Sequence, residues 1–441
     1  MLSLLSCGSN AHGQLGLGTT EDTPTYLPCR FSDDLIPSKI TKVTEVAAGA
    51  NHTLILVDYD NNGSIRPLVL GCGDGRQGQL GDRRGLDNSG PMTERVFHPI
   101  NIPLTEYGLQ EHYHPKCIAA TWETSFVVFT SENLGHPDVI ISFGSNEFGD
   151  LGIGHPGTQA HPRRPFNIIS FDHLWMDPGT TIRPETLKVV FIMTGQRHVI
   201  VKLEVMDESG SPSHRLEGWG ASRHGQLGQA DTNTTTKLPT LCLSGPAFLS
   251  LPTHLKVDNV HASDVVSVAM GIQHSVLHLR SGKVVGLGSN RKHQIDGLSS
   301  LTEVHCVGAT WNSTLLLRKD DVTGMWGCGS NSHGQLGASS DNVRQSCLVR
   351  HATPYPLTSD IMRLICGSEH VLVFVSSQEP KPAELWAWGW NEHGNLGLGD
   401  TVDRPDPVQV WATRGQSLEQ RGVLLNAWAG MGTSWILLSD L

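Results

Sequence analysis

The chain has 441 residues, of which 48 are glycine, 11 are tryptophan and 17% are charged. An average protein holds roughly 7% glycine and about 25% charged residues, so this chain is rich in glycine and poor in charge. Its hydrophobic content of 38% exceeds that of disordered chains, and no apolar run approaches the roughly 20 residues that cross a bilayer. The net charge of −11 argues against a nucleic acid or an anionic membrane surface as the partner.

Short apolar segments next to glycine predict β-strands along the whole chain. They are rich in β-branched residues and are interrupted by glycine turns, which is typical of strands and hairpins. No long segment shows the 3.6-residue period of an amphipathic helix, so few helices are expected. The predicted strands and hairpins, in chain order, are Leu2–Cys7, Val43–Gly49, His52–Val57, His274–Gly288, Leu385–Gly389 and Thr433–Leu438.

A nine-residue glycine motif, G-S-N-x-x-G-Q-L-G, recurs seven times. The most degenerate copy is the fifth, which reads G-S-N-R-K-H-Q-I-D. Glycine is required where the backbone takes a positive φ or where another segment passes close by. The copies start at Gly8, Gly73, Gly144, Gly220, Gly288, Gly329 and Gly389.

A second motif, G-x-x-H between two apolar stretches, alternates with the first. It has four clear and three weaker copies, so it also occurs seven times. We predict that its histidines are buried and bond a neighbouring repeat, because buried polar groups need partners. The clear copies are Gly49–His52, Gly195–His198, Gly271–His274 and Gly367–His370, and the weaker ones are Thr121–Thr124, Thr310–Ser313 and Gly430–Thr433.

Each repeat spans about 63 residues, enough for the three or four strands of one propeller blade. The paired motifs resemble the repeat of the RCC1 family, the regulators of chromosome condensation. The resemblance implies an all-β, seven-bladed β-propeller over residues 1–441, a single domain rather than the three that the length suggests. We further expect Leu2–Cys7 to pair antiparallel with Trp435–Leu438 and close the ring. The short Gly297–Glu303 segment predicts a poor outer strand in the fifth repeat.

No catalytic or cofactor site is predicted. The glycine-rich loops lack the G-x-x-x-x-G-K-[ST] pattern of phosphate-binding loops, and no βαβ unit follows them. His112 and His114 have no third ligand placed by the sequence, which favours loop histidines over a metal site. We therefore expect neither enzymatic activity nor a bound cofactor or metal.

Three tryptophans that the repeat does not require indicate a partner-binding surface. Trp122 and Trp311 follow the first position of the second motif, and Trp390 replaces the serine of G-S-N. Exposed tryptophan is enriched at binding hot spots. The alternative is that each of these tryptophans packs between blades, as we expect for the core residues Trp219, Trp326 and Trp388. The other residues predicted to lie on the partner-binding surface are Glu123, Arg197, Glu369, Glu392 and His393.

Five segments are similar to a fungal branch of RCC1-like accessory factors. This resemblance implies a heterodimer with a small CSL-type zinc or iron protein of diphthamide synthesis. It also implies a supporting role in Elongator-dependent modification of the tRNA wobble uridine. The segments are Gly71–Asp74, Thr121–Thr124, Gly367–His370, Trp388–Asn395 and Thr433–Leu437. Three longer insertions depart from that branch, at Asp82–Lys116, His155–Lys188 and Gln229–Asp264.

Two other functions stay open. The family's founding member is a guanine-nucleotide exchange factor for a small GTPase, which makes exchange the alternative activity. The chain begins inside the strand Leu2–Cys7 and shows no basic tail, so we rank exchange second. A scaffold of the ubiquitin pathway or of chromatin is a third reading. Nine cysteines without C-x-x-C spacing predict free thiols in a reducing compartment. We expect the cytoplasm, with the nucleus as an additional location.

Overall fold

The computed structural model describes twelve segments of the chain. The three predicted insertions lie partly outside these segments. No helix in the described segments is long and apolar enough to cross a membrane. The described residues are 2–81, 93–109, 112–133, 135–154, 165–176, 182–228, 242–248, 260–337, 348–353, 362–376, 383–412 and 422–439.

The described segments form 27 strands and one short helix, α1 (His173–Met176), as the glycine-punctuated sequence predicts. Four single 3₁₀ turns lie at Pro37–Lys39, Leu104–Tyr107, Ala262–Asp264 and Leu298–Ser300. The strands are β1 (Leu2–Gly8), β2 (Thr23–Pro28), β3 (Ile40–Ala48), β4 (His52–Asn61), β5 (Ser64–Asp74), β6 (Thr93–Pro99), β7 (His114–Ala120), β8 (Thr124–Thr130), β9 (Val139–Gly144), β10 (Asn167–Ile168), β11 (Ile182–Thr194), β12 (His198–Asp207), β13 (Pro212–Ala221), β14 (Cys242–Phe248), β15 (Val265–Met270), β16 (His274–Leu279), β17 (Val284–Gly288), β18 (Val304–Ala309), β19 (Ser313–Arg318), β20 (Asp321–Gly329), β21 (Val349–Ala352), β22 (Met362–Cys366), β23 (His370–Val375), β24 (Glu384–Gly389), β25 (Arg404–Ala412), β26 (Val423–Ala429) and β27 (Thr433–Ser439).

These strands form seven antiparallel sheets, which are the blades of a closed propeller. From the axis outward, blade 1 is β26-β27-β1-β2, blade 2 is β3 to β6, blade 3 is β7 to β10 and blade 4 is β11 to β14. Blade 5 is β15 to β17, blade 6 is β18 to β21 and blade 7 is β22 to β25. The first strands of successive blades lie side by side around the axis. The predicted seven-bladed propeller is therefore confirmed.

Blade 5 has three strands, whereas each of the other six sheets has four. After β17 the chain enters the 3₁₀ turn Leu298–Ser300 and then β18, so no fourth strand forms in the described residues 289–303. Leu298 and Ile295 pack against Gly286 of β17 instead. The prediction of a poor outer strand in the fifth repeat is confirmed.

Both chain ends contribute to blade 1. Strand β1 pairs antiparallel with β27 in an unbroken register from Leu2 opposite Ser439 to Gly8 opposite Thr433. On its other edge β1 pairs with β2. The predicted closure of the ring by Leu2–Cys7 and the last strand is therefore confirmed.

The core lies between blades, where each sheet packs both faces against its neighbours. The second strand of a blade is consequently buried over at least its first five residues, and in His370–Val375 at every position. Blades 2 and 3 share one cluster in which Leu54 and Leu80 meet Phe143. Two-sided burial explains why these strands are continuous apolar runs rather than alternating ones.

The small and aromatic residues that precede motif glycines are mostly core residues. Trp219 and Trp388 are fully buried, as predicted. Trp326 is half-buried; its indole N–H donates to Asp321, and Arg318 lies over its ring. Trp326 therefore packs against the buried cluster of blades 5 and 6 at its edge rather than inside it. Three cysteines directly precede the first motif glycine of a repeat, and they were predicted to be packed in the core. All three are buried: Cys7, Cys72 and Cys328.

One hydrogen bond recurs in all seven blades and places both motifs on the same face of the ring, which we call the motif face. The donor is the backbone N–H of the residue after the first motif glycine. The acceptor is the backbone carbonyl of the last residue before the second strand of the same blade, which lies in the G-x-x-H turn or its equivalent. These N···O distances are 2.7–3.0 Å. The donor and acceptor pairs are Ser9 and Gly432, Asp74 and Asn51, Ser145 and Glu123, Ala221 and Arg197, Ser289 and Gln273, Ser330 and Asn312, and Trp390 and Glu369.

The first motif glycine is required for that bond. Gly73 has a φ of 102°, and a Cβ there would overlap the carbonyl oxygen of Asn51. Gly63, in the same sheet, has a φ of 90° with nothing within 4 Å of such a Cβ. We expect Gly73→Ala to destabilise the fold by about 3 kcal/mol, from strain and overlap together. Gly63→Ala should cost about 1 kcal/mol from the positive φ alone. Urea denaturation measures both, and equal losses would contradict the overlap.

The motif histidines join neighbouring blades, as predicted. Each is fully buried and its Nε2 bonds a Ser or Thr hydroxyl of the next blade at 2.9–3.2 Å. The Ser125 hydroxyl donates its own proton to the carbonyl of Gln79, so the His52 ring is the donor in their bond. The pairs are His52 with Ser125, His198 with Ser275, His274 with Thr314 and His370 with Ser434.

Candidate partner-binding surface

A ring of backbone hydrogen bonds surrounds the central axis on the motif face. In blades 2 to 7 the first variable residue of the G-x-x-H turn, or of its equivalent, forms a backbone hydrogen bond with the turn of an adjoining blade. Ala50 donates to the Trp122 carbonyl (2.9 Å), and Trp122 donates to Gln196 (2.7 Å). On the far side Ile272 donates to Trp311 (3.0 Å), which donates to Ser368 (2.6 Å). This position therefore faces the mouth of the central channel.

The channel below this ring has a volume of about 240 Å³ and is lined by the first strands of all seven blades. Its lining is mainly alanine, glycine and sulfur-containing side chains, with one carboxyl group, that of Glu45. Burial raises the pKa of Glu45 to about 7, although the N–H of Ile118 donates to the carboxylate. The first strands thus leave a narrow, weakly polar opening at the centre of the motif face.

Trp122 and Trp311 meet over this opening, and we call them the tryptophan cap. Their ring centroids are 6.0 Å apart with the planes inclined by 42°. They come from blades 3 and 6, which are not neighbours in the ring, so the contact spans the axis. Both side chains are half-buried. The two tryptophans pack on each other across the channel mouth rather than in the seams between neighbouring blades.

Arg197 of blade 4 extends the cap toward blade 3. Its guanidinium carbon lies 6.0 Å from the centroid of Trp122 and 4.4 Å from that of Phe148, within the range of cation–π attraction. It also forms an ion pair with Glu147 at 3.2 Å. Neither Phe148 nor Glu147 was predicted from the sequence. Phe148 could have been found, because its motif position holds His, Gln or Lys in the other copies.

Trp390 forms a second cluster at the junction of blades 6, 7 and 1. Its indole N–H donates to Glu392 at 3.3 Å, and its ring contacts the imidazoles of His333 and His393. The His393 Nδ1 lies 2.6 Å from a carboxylate oxygen of Asp22 in blade 1. The fold thus brings together Trp390, Glu392 and His393, three of the residues predicted for the partner-binding surface.

Glu369 has a structural environment and does not present its side chain at the surface. It is 9% exposed, and its carboxylate accepts bonds from Thr310 (3.3 Å), Asn312 (2.9 Å) and Gln335 (2.7 Å). Burial raises its pKa, and these bonds partly oppose the rise. Glu369 therefore ties blade 7 to blade 6, which corrects its place among the partner-contacting residues. Glu123, next to Trp122, is half-buried.

No group of three or more His, Cys, Asp and Glu side chains that could hold a metal ion occurs in the segments that the structure describes. The ring of His112 stacks on Tyr113 and packs edge-on against His136, with centroids 5.2 and 4.5 Å away. The arrangement on the motif face is one of aromatic and charged side chains suited to protein contacts.

Comparison with known proteins agrees with this geometry. The sequence profile described as "Regulator of chromosome condensation (RCC1) repeat" matches residues 3–56, 215–277 and 383–423. Prp20p of Saccharomyces cerevisiae superposes over 100% of this chain and 92% of its own, with a TM-score of 0.67 and 18% identity. The chain has the seven-bladed propeller fold of the RCC1 structures. Human WBSCR16 covers 100% of both chains with a TM-score of 0.63 and 17% identity; such likenesses establish the fold alone.

The proteins that this chain is similar to in sequence differ in function. The ultraviolet-B receptor UVR8 of Arabidopsis thaliana is 24% identical over 98% of this chain and 83% of its own. The secretion-regulating guanine nucleotide exchange factor of Mus musculus is 25% identical over 92% and 78%. An RCC1 repeat-containing protein of Schizosaccharomyces pombe is 24% identical over 99% of both chains. The RCC1-like fold is thus consistent with a protein-binding, regulatory role.

Proposed function

We propose that this RCC1-like propeller is a non-catalytic regulatory subunit that binds a partner protein over the centre of its motif face. The observation that carries the proposal is the tryptophan cap. Trp122 and Trp311 cover the channel mouth, and both side chains stay partly exposed to solvent. Arg197 and the Trp390 cluster extend the surface outward on either side. Aromatic and arginine side chains in this setting supply most of the energy in protein interfaces.

We further propose that the partner is a small CSL-type zinc protein of diphthamide synthesis. Support comes from the five segments that resemble the fungal alpha-tubulin suppressor, also described as a killer-toxin-insensitivity accessory protein. Two of those segments contain Trp122 and Trp390, which lie on the motif face. In this role the propeller would support diphthamide formation and Elongator-dependent modification of the tRNA wobble uridine, in the cytoplasm and the nucleus.

Replacement of both cap residues, Trp122→Ala with Trp311→Ala, is expected to weaken binding of the small zinc protein at least tenfold. Loss of two aromatic hot-spot residues costs about 2 kcal/mol or more each. The measurement is calorimetric titration with the purified partner, with thermal melting to confirm folding. Trp326→Ala is the matched control, because that half-buried tryptophan lies beside Arg318, away from the motif face. Unchanged affinity in the folded double variant would contradict the cap's role.

Guanine-nucleotide exchange is the second candidate function. It is favoured by the similarity to the murine secretion-regulating exchange factor, which spans 92% of this chain. The discriminating measurement is release of a fluorescent guanine nucleotide from purified small GTPases in the presence of the propeller. Stimulated release without any zinc protein would replace the proposed function, and absence of release together with a stable zinc-protein complex would support it.

A further inference from the structure

Three exposed cations lie on the motif face where blades 4 and 5 adjoin. Arg223 is in the motif loop of blade 4, and Arg291 and Lys292 are in that of blade 5. Each loop is held by a tight turn, with the Gly225 N–H bonded to Ser222 and the His293 N–H bonded to Asn290. We call Arg223, Arg291 and Lys292 the basic notch. Fixed backbones beneath these side chains lower the cost of ordering them on a ligand.

Blade 5 provides no outer strand to cover this site. In blades 1, 6 and 7 the motif loop packs against the outer strand of the next blade, whereas Gly78 of blade 2 has nothing described within 4 Å of a Cβ. A Cβ on Gly334 would overlap Pro405 of β25, and one on Gly394 would overlap Pro24 of β2. At the equivalent Gly225 nothing among the described residues lies within 4 Å of such a Cβ. No residue of the described segments therefore covers the Gly225 turn of the blade 4 loop on the side of blade 5.

The notch cations have no counter-charge among the described residues. None of the three forms an ion pair or a side-chain hydrogen bond with a described residue, unlike Arg197, which pairs with Glu147. The nearest carboxylate in the same loop, Asp296, is engaged by Asn290 and by His293 at 2.6 Å. Partial burial and the guanidinium groups of Arg291 and Arg223 lower the pKa of His224 between them. Three positive charges thus lie in adjoining loops without a carboxylate partner in the described segments, in a chain of net charge −11.

The opposite side of the motif face is acidic. Blades 7 and 1 present five carboxylates there, two of them paired with histidines and one with an arginine. A nucleic acid that crossed the face would bring its phosphates against these carboxylates, at an electrostatic cost. A protein whose acidic residues lie in one short segment would avoid this cost, because only that segment needs to lie on the basic notch. The carboxylates are those of Glu21, Asp22, Glu392, Asp400 and Asp403.

We infer that the basic notch binds an extended, acidic segment of a partner protein, anchoring it beside the tryptophan cap. This inference rests on the proposed protein-binding role of the motif face and adds the chemistry of one contact. Complementary charge at the edge of an interface mainly accelerates association and fixes orientation. The interaction should therefore weaken with increasing ionic strength.

A fluorescein-labelled peptide of eight glutamates serves as the probe, with fluorescence anisotropy at 50 and 150 mM salt. The test variant reverses all three charges: R223E, R291E and K292E. The control reverses three exposed cations of blades 5 and 6 on the opposite face: R280E, K283E and K319E. We expect the test variant to bind the peptide at least tenfold more weakly than the wild type, and the control to stay within twofold. Thermal melting confirms that both fold.

Three results would overturn the inference: no peptide binding by the wild type at 50 mM salt, equal losses in both variants, or tighter binding of an eight-nucleotide oligo-dT than of the peptide. The cap variant Trp122→Ala with Trp311→Ala should retain peptide binding, because its substitutions lie at the channel mouth. If the peptide does not bind the basic notch, the role of the tryptophan cap in binding the zinc protein can still be tested. If the cap variant binds the zinc protein normally, the result with the peptide is unaffected.

Discussion

A chain that lacks residues 1–7 is expected to lose cooperative folding. Strand β1 lies between β27 and β2 and bonds to both, so its removal separates the two ends of the ring. Leu4, Ser6 and Cys7 are buried, and Trp435 loses the strand opposite it. Removing the apolar side chains of one such strand costs roughly 5–8 kcal/mol, which is comparable to the whole stability of a typical domain, about 5–15 kcal/mol.

Circular dichroism and urea denaturation would measure this loss. The matched control is a circular permutant in which a short linker joins the ends and the chain is opened at the exposed Asn62–Gly63 turn. Because Leu2 lies opposite Ser439, such a linker need not distort blade 1. The permutant should fold and the truncated chain should not. A truncated chain with wild-type melting would show that the ring is stable without its closing strand.

Acidification is expected to unfold the protein well above the pKa values of ordinary carboxylates, because four fully buried histidines must stay neutral. Burial lowers the pKa of His52, His274 and His370 to about 4, and that of His198 to about 3. The unfolded value is about 6.5. Between these limits the unfolded chain binds up to four more protons, so stability falls with decreasing pH, by at most about 5 kcal/mol per pH unit.

Three buried carboxyl groups oppose this effect. Burial raises the pKa of Glu45 and of Asp150 to about 7, and it also raises the pKa of Glu369. These carboxyl groups are protonated in the folded protein at pH values where they are ionised in the unfolded chain. Their contribution to the free energy of unfolding is therefore lost as pH rises from about 4.5 through 7. Over the same pH range the four buried histidines change the number of bound protons by more than these carboxyl groups do. The net slope should therefore keep the sign set by the histidines, with a smaller magnitude.

A single substitution isolates the histidine contribution. His198→Asn should lower the pH dependence of unfolding by about one proton, or about 1.4 kcal/mol per pH unit, between pH 4 and 6. Its hydrogen bond to Ser275 is lost as well, so the slope is the readout and not the stability itself. Identical slopes in wild type and His198→Asn would show that these imidazoles are not held neutral.

The recurring glycine turns and histidine bonds of the repeat could be predicted, because each requires a particular residue type at a particular position of the motif. A positive φ beside a carbonyl oxygen restricts Gly73 and its counterparts to glycine. A buried imidazole needs a hydroxyl partner, which Ser125 and its counterparts supply. Seven copies of the motifs, with their resemblance to the RCC1 repeat, predict seven blades, and the short Gly297–Glu303 segment predicts the weak outer strand of blade 5.

The surface was less predictable, because its residues meet across the ring. Trp122 and Trp311 belong to different blades, and their contact depends on the diameter and closure of the whole propeller. Glu369 has the same motif position as Arg197, yet it is buried because Thr310, Asn312 and Gln335 of blade 6 surround it.

The sequence by itself thus determined the architecture of this protein: the blade count, the strand that closes the ring and the buried polar links between blades. The tertiary structure decided the contacts between blades that are not neighbours, the burial of Glu369 and the opening beside Arg223. The reason is physical. Backbone conformation and hydrogen-bond satisfaction are set by a residue and its repeat, whereas exposure and distance across the axis are set by how all seven blades pack together.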